Sequence, residues 1–112
     1  MPFVEPDAMI VITPIRGWTG RVFHSSQMTF GYWEIAADAV DLHEHDHAQE
    51  EVWNVVSGEI VLSIDGHERR LDAGDAAIIP PGVRHAAVVL GPCRAIVVDH
   101  PVRIALATGH RN

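Results

Sequence analysis

Apolar side chains recur at alternate positions in short runs along this chain, and Gly, Pro and Asp punctuate them. A period of two is the signature of strands with one buried face. The first run, residues 9–13, is ended by Pro14. Gly17-Trp-Thr-Gly20 reads as a turn, and residues 21–24 as a strand that Ser25-Ser26 breaks. A longer strand follows over 27–36, carrying Phe30, Tyr32 and Trp33, and residues 36–39 connect it to the next run, 40–47. There His43, His45 and His47 repeat at period two and share a face. Strands are expected over 51–57, 58–65 and 68–71, with turns at Ser57-Gly-Glu59 and Asp65-Gly-His67. Asp-Gly between alternating apolar runs is a hairpin signal. Residues 76–80, 85–90 and 94–100 supply the last strands, 101–103 leave the sheet, and 104–112 form a tail or a short helix. About ten short strands with almost no helical periodicity predict an all-β barrel or sandwich.

Composition narrows the classes of function. A chain of 112 residues holds one hydrophobic core and not two, so residues 1–112 are read as a single domain. No run approaches the roughly 20 apolar residues of a membrane span. The opening Met1-Pro-Phe-Val-Glu-Pro-Asp7 has neither the basic start nor the apolar centre of an export signal, so a cytoplasmic protein is expected. A formal charge of −7 with no cluster of Arg opposes nucleic acid and anionic membranes as partners. All eight basic side chains are Arg, and without Lys there is neither Schiff-base catalysis by a side chain nor a P-loop. The single cysteine, Cys93, excludes an internal disulfide, a Cys-rich zinc site and a Cys-ligated iron–sulfur cluster. It begins an apolar run and reads as a small strand residue. Neither Gly-x-Ser-x-Gly nor Gly-x-Gly-x-x-Gly occurs. Chemistry here falls to a metal.

The metal candidates follow from the same pattern. His45 and His47 lie two residues apart on one strand face, and Glu51 opens the next strand four residues later. Gly74 and Pro80-Pro-Gly82 bracket a short apolar strand and deliver His85 to the start of another. Three imidazoles and a carboxylate that converge inside a barrel suit Fe, Mn, Ni, Co or Zn as one divalent ion, and disfavour Mg and Ca. Buried without a cation, the same groups would be poorly paired, which is costly. Four protein ligands leave about two positions of an octahedral ion for water, dioxygen or substrate. Parity from Glu51 puts Trp53 on the ligand's face as a wall of the cavity, and one of Tyr32 or Trp33 is a candidate for its lining. His24, His67, His100 and His110 lack ligand spacing, although His100 joins Asp99 and Arg103 as a candidate substrate contact at the barrel end.

These residues carry a family resemblance. His45, His47, Glu51 and Gly58 meet His-x-His-x3-Glu-x6-Gly, and Gly74, Pro80, Gly82 and His85 meet Gly-x5-Pro-x-Gly-x2-His. Together they resemble the two motifs of the cupin superfamily, over residues 25–103. Two positions depart from it: Ala39 stands where the family often has Gly, and Val89 where it often has Asn. Neither departure removes a ligand. The resemblance implies a double-stranded β-helix, or jelly roll, with a barrel core over about 21–103 and His45, His47, Glu51 and His85 as ligands. It selects His45 and His47 from the three period-two histidines, leaving His43 as a pocket-rim candidate and Glu50 as a surface acid. In small cupins an N-terminal strand commonly pairs with a second subunit, so 9–13 is expected to support a homodimer.

The resemblance implies more than one kind of activity. Cupins with this ligand set resemble dioxygenases of enol, enediol or diketone-like substrates, with Glu51 able to act as a base as well as a ligand. Others isomerise, ketonise or decarboxylate sugar acids with the metal as Lewis acid. The small pectin-degradation cupins that ketonise unsaturated uronates are similar in length and spacing, but they tend to carry Gln where this chain has Glu51. The expectation is a mononuclear metalloenzyme for a small oxygenated molecule, dioxygenase-like first. Non-redox sugar-acid chemistry is the second reading and a small-ligand-binding or sensing module the third.

Overall fold

The computed structural model describes residues 3–107, and strands dominate it. A single 3-10 turn, Pro6–Ala8, precedes β1 (Ile10–Ile15), β2 (Trp18–His24), β3 (Thr29–Ile35) and β4 (Leu42–His45). Then come β5 (Glu50–Ile64), β6 (His67–Asp72), β7 (Ala76–Ile79) and β8 (His85–His100), and a short helix, α1 (Ile104–Ala107), follows the barrel. Among the described residues no helix is long and apolar enough to cross a membrane.

Two long strands organise the barrel. β5 and β8 run antiparallel along their whole lengths, from Glu50 opposite His100 to Ile64 opposite His85. Their register shifts between Val55 and Ser57 and again between Gly58 and Ile60, and these bulges divide each strand into two halves. The first half of β5 and the second half of β8 belong to a six-stranded sheet, ordered β1-β2-β3-β8-β5-β7. The other halves belong to a four-stranded sheet, ordered β4-β8-β5-β6. The two sheets face each other as the walls of a cupin-type barrel.

Several boundaries differ from the sequence pattern, each for a physical reason. Ser57-Gly-Glu59 is a bulge within β5 rather than a turn, and Gly91-Pro92 likewise lies inside β8. Gly58 has φ +76, and a Cβ there would lie 2.1 Å from the carbonyl oxygen of Pro92. Gly lets the bulge form while the ladder continues on both sides. Trp18, Thr19 and Gly20 belong to β2, because the reversal is completed at Arg16-Gly17. β1 runs on through Pro14, with a register shift between Ile12 and Ile15 that accommodates the missing N–H. The predicted Asp65-Gly66 hairpin joins β5 to β6, with Ile64 opposite His67.

The core lies between the sheets. Ile12, Val22, Ile35, Val55, Ile60, Leu62, Leu71 and Ile79 are buried there with Cys93, whose thiol burial pushes up. Trp33, Trp18 and Trp53 form a chain of edge contacts, with centroids 6.2 and 6.3 Å apart. Leu106 of α1 is buried in the same core, so the segment that leaves the barrel returns to cover it. His110 lies outside the described residues.

Candidate metal centre

The bulged ladder brings residues of both sheets to one place. His45, the last residue of β4, lies opposite His85, the first of β8, in the four-stranded sheet. Glu51 lies opposite Asp99 in the six-stranded sheet, with Ile79 on its other side. His47 sits in the connection between β4 and β5, where its carbonyl accepts the Gly82 N–H at 2.8 Å. That bond ties the first histidine segment to the Pro80-Pro-Gly82 turn. The donor atoms of His45, His47 and His85 lie within 4.8 Å of one another, and so do those of His47, Glu51 and Asp99.

Each imidazole is held in one tautomer. Nδ1 of His45 donates to the carbonyl of His43 at 2.8 Å, that of His47 to Gln49 at 3.1 Å, and that of His85 to Val83 at 2.9 Å. A carbonyl can only accept, so every Nδ1 carries its proton, and in a neutral ring Nε2 is then left with a lone pair. Nε2 of His47 and of His85 are buried and have no hydrogen-bond partner among the described residues. His47 Nε2 nevertheless stands 3.1 Å from Glu51 Oε2, and His85 Nε2 stands 3.9 Å from Glu51 Oε1. With the rings neutral, acceptors would face acceptors at these distances and repel unless a proton or a metal cation lay between them. Ligands about 2.1 Å from one ion are about 3 Å apart at right angles and about 4.2 Å apart when opposed. Both separations, the first to Oε2 and the second to Oε1, fall in that span. The three histidines form one cluster of candidate ligands for a divalent transition ion, and Glu51 joins it through His47. Burial lowers the pKa of His45 and of His85, which keeps those rings neutral and able to ligate.

Glu51 is held on every side. Oε1 accepts the Trp53 indole N–H at 2.7 Å, and Oε2 accepts from Arg103 Nη1 at 3.2 Å. Burial alone would raise this carboxyl. Hydrogen bonds from His47 (made when its Nε2 carries a proton), Asp99 and Trp53, with the charge of Arg103, outweigh it and hold Glu51 well below the usual carboxylate range. Asp99 goes the other way. Burial, followed by the charge of Glu51 on the neighbouring strand, pushes it up to about 9. Ionised, neither of its oxygens would have a donor. Protonated, it can donate to Glu51. Arg103 is buried as well: its backbone N–H donates to Thr29 Oγ1 at 2.8 Å, and that hydroxyl also bonds His24 Nδ1 at 2.7 Å.

A pocket of about 80 Å³ opens beside these groups, lined by His45, Glu51, Asp99 and Arg103 and by Trp18, Trp33 and Trp53. Pro14, Ile15, Leu42, Val97 and Leu106 complete its wall. Of the proposed lining residues, Trp33, Trp53, Asp99 and Arg103 are here. Tyr32 is on the outer face under the Arg21 guanidinium, because it alternates with Trp33 along β3. His100 is exposed at the end of β8, again one residue out of phase with buried Asp99. His43 is exposed too. A register shift between Leu42 and His45 breaks the period-two face and turns Leu42, not His43, toward the pocket. The sequence reading missed Thr29, Leu42, Val97 and Leu106, and placed Trp18 in a turn. Alternation from Asp99 back to Val97, and from Val22 back to Trp18, carried the signal for two of them. No sequence signal marked the return of α1.

Residues 31–99 match the cupin domain family, and the chain belongs to that family. No curated protein matches the chain. Among solved structures, an RmlC-like cupin from Shewanella frigidimarina is 23% identical with a TM-score of 0.84, covering 95% of this chain and 96% of that one. KdgF from Halomonas sp. is 22% identical with a TM-score of 0.83, covering 95% and 98%. Hydroxypropylphosphonic acid epoxidase from S. wedmorenis is 18% identical with a TM-score of 0.75, covering 88% of this chain and 59% of that one. At these identities the likeness is one of fold.

Proposed function

We propose that this cupin is a mononuclear metalloenzyme acting on a small oxygenated organic molecule, with His45, His47, His85 and Glu51 holding one divalent transition ion. One observation carries the reading. Three imidazoles, each with its Nδ1 fixed by a backbone carbonyl, gather beside a buried carboxylate, and Nε2 of His47 and of His85 are buried with no hydrogen-bond partner among the described residues. When bound, such an ion supplies Lewis acidity, and a redox-active one supplies oxygen chemistry as well. Dioxygenase-like turnover is the first activity to screen.

The chain's own residues have separable parts in this reading. Trp53 and Arg103 orient the Glu51 carboxylate while leaving each oxygen a further lone pair. Glu51 and Asp99 both line the pocket, Glu51 as the carboxylate beside the histidines and Asp99 as an acid next to it. The indoles and Leu106 exclude water from the pocket.

The test is elemental analysis of untagged protein, as purified and after reconstitution, next to a His45→Ala, His47→Ala double variant. We expect close to one ion per chain in the wild type and its loss in the double variant. A wild type that takes up no ion even after reconstitution would refute the proposal.

A further inference from the structure

We infer that the substrate is a compact carboxylic acid with an apolar body, its carboxylate received by Arg103. This inference rests on the metal reading above. The first ground is charge. An imidazole that ligates a metal does so in its neutral form, and the charges of Glu51 and Arg103 cancel across their 3.2 Å contact. A divalent ion then leaves the pocket with an excess of one or two positive charges, whichever state Asp99 takes. In a site this buried such an excess is costly unless an anion enters with the substrate.

The second ground is the state of Arg103. Its side chain is 9% exposed and lines the pocket; Nη1 lies 3.2 Å from Glu51 and 3.8 Å from Asp99, while Nε is buried without a partner among the described residues. A buried guanidinium N–H without an acceptor is costly, and a carboxylate is the ligand whose geometry fits that fork.

The third ground is the rest of the wall. Apart from the groups beside the metal, indole and aliphatic carbon surround the space: Trp18, Trp33, Leu42, Val97 and Leu106. The Trp18 N–H is already bonded to the Val40 carbonyl at 2.7 Å, and that of Trp53 to Glu51. The hydroxyls of a sugar acid would lose water on this wall and find few partners. A branched or unsaturated hydrocarbon body loses nothing there. The pocket therefore favours an apolar acid over a polyhydroxylated one.

All three tryptophans of the chain line this pocket, so intrinsic fluorescence reports its occupancy. The probes are 3-methyl-2-oxobutanoate, its methyl ester and D-galacturonate, titrated into the Zn(II)-loaded protein with zinc measured on the same samples. We expect the acid to bind at least tenfold more tightly than the ester or the galacturonate. Arg103→Gln, brought to one zinc per chain with excess Zn(II) because Glu51 loses an orienting partner, should weaken the acid by about 10- to 100-fold, the loss of a charge-assisted pair. Should Arg103→Gln fail to fold, Val97→Thr is the second variant. Its hydroxyl on the apolar wall should weaken the acid about tenfold with zinc unchanged. Equal binding of acid and ester, preference for galacturonate, or an unchanged preference in the variants overturns the inference. Zinc at one per chain with no acid bound overturns it alone. No zinc in the wild type overturns the metal reading, and this inference with it.

Discussion

Glu51 is the side chain on which most of the site converges. Its carboxylate touches Trp53 and His47, within four residues of it in sequence, and Arg103, 52 residues away. Trp53→Phe tests that arrangement, because it keeps a ring against Trp18 and removes only the indole N–H. A hydrogen bond to a buried charge is worth about 1.5–3 kcal/mol, so the urea midpoint should fall by that equivalent with the m-value unchanged. Metal affinity should fall with it, since Glu51 loses an orienting partner. Unchanged stability would show that the carboxylate reorganises at no cost. Parity reaches Trp53 from Glu51 because the ladder is regular from Glu51 to Val55. The same reasoning failed backward from His45 to His43, where a register shift intervenes that no residue type announces. Arg103 was a candidate substrate contact from its place at the barrel end, but its contact with Glu51 was not legible in the sequence. What brings it inward is a long-range contact, its N–H on the hydroxyl of Thr29.

The long strands explain why the fold was more legible than its element boundaries. Alternation fixed the all-β class, the Asp-Gly hairpin and the approximate place of most strands. Gly58 and Gly91-Pro92 were read as breaks because Gly and Pro usually end strands. Here they mark the place where β5 and β8 pass from one sheet to the other without losing their pairing. Gly58→Ala would bring a methyl group against the Pro92 carbonyl at a φ of +76. We expect a loss above about 2 kcal/mol in a urea titration, from strain and overlap together. Gly66→Ala is the control. Its φ of +80 carries similar backbone strain, but nothing lies within 4 Å of the added carbon. The cost there should be nearer 1 kcal/mol, that of the backbone alone. Equal losses at the two positions would remove the case for a close approach at the sheet crossing.

The outer face of the six-stranded sheet bears on assembly. A cross-strand row runs Phe23–Phe30–Val98–Val52–Ile78, and the next runs Val11–Arg21–Tyr32–Ile96–Asn54–Ala76. Phe23 and Phe30 stack at 5.1 Å, while Val11 and Ile78 are more than half exposed. Neither row contains an acid, although the chain has 15 and a net charge of −7. Two copies would therefore meet with least repulsion across this face, and an apolar sheet surface of this kind marks an interface. The strand over residues 9–13 was expected to pair with a second subunit. It pairs along one side with β2 in its own chain, and its other edge is without a partner strand among the described residues. We expect a homodimer that joins the two outer faces, with the open β1 edges alongside. Sedimentation velocity at micromolar concentration checks it. Wild type should run as a dimer, and Phe30→Asp with Ile78→Glu should run as a monomer that still takes up metal, because both side chains point away from the pocket. A wild-type monomer would leave the apolar rows unexplained by self-association, and a double variant that remained dimeric would move the interface elsewhere.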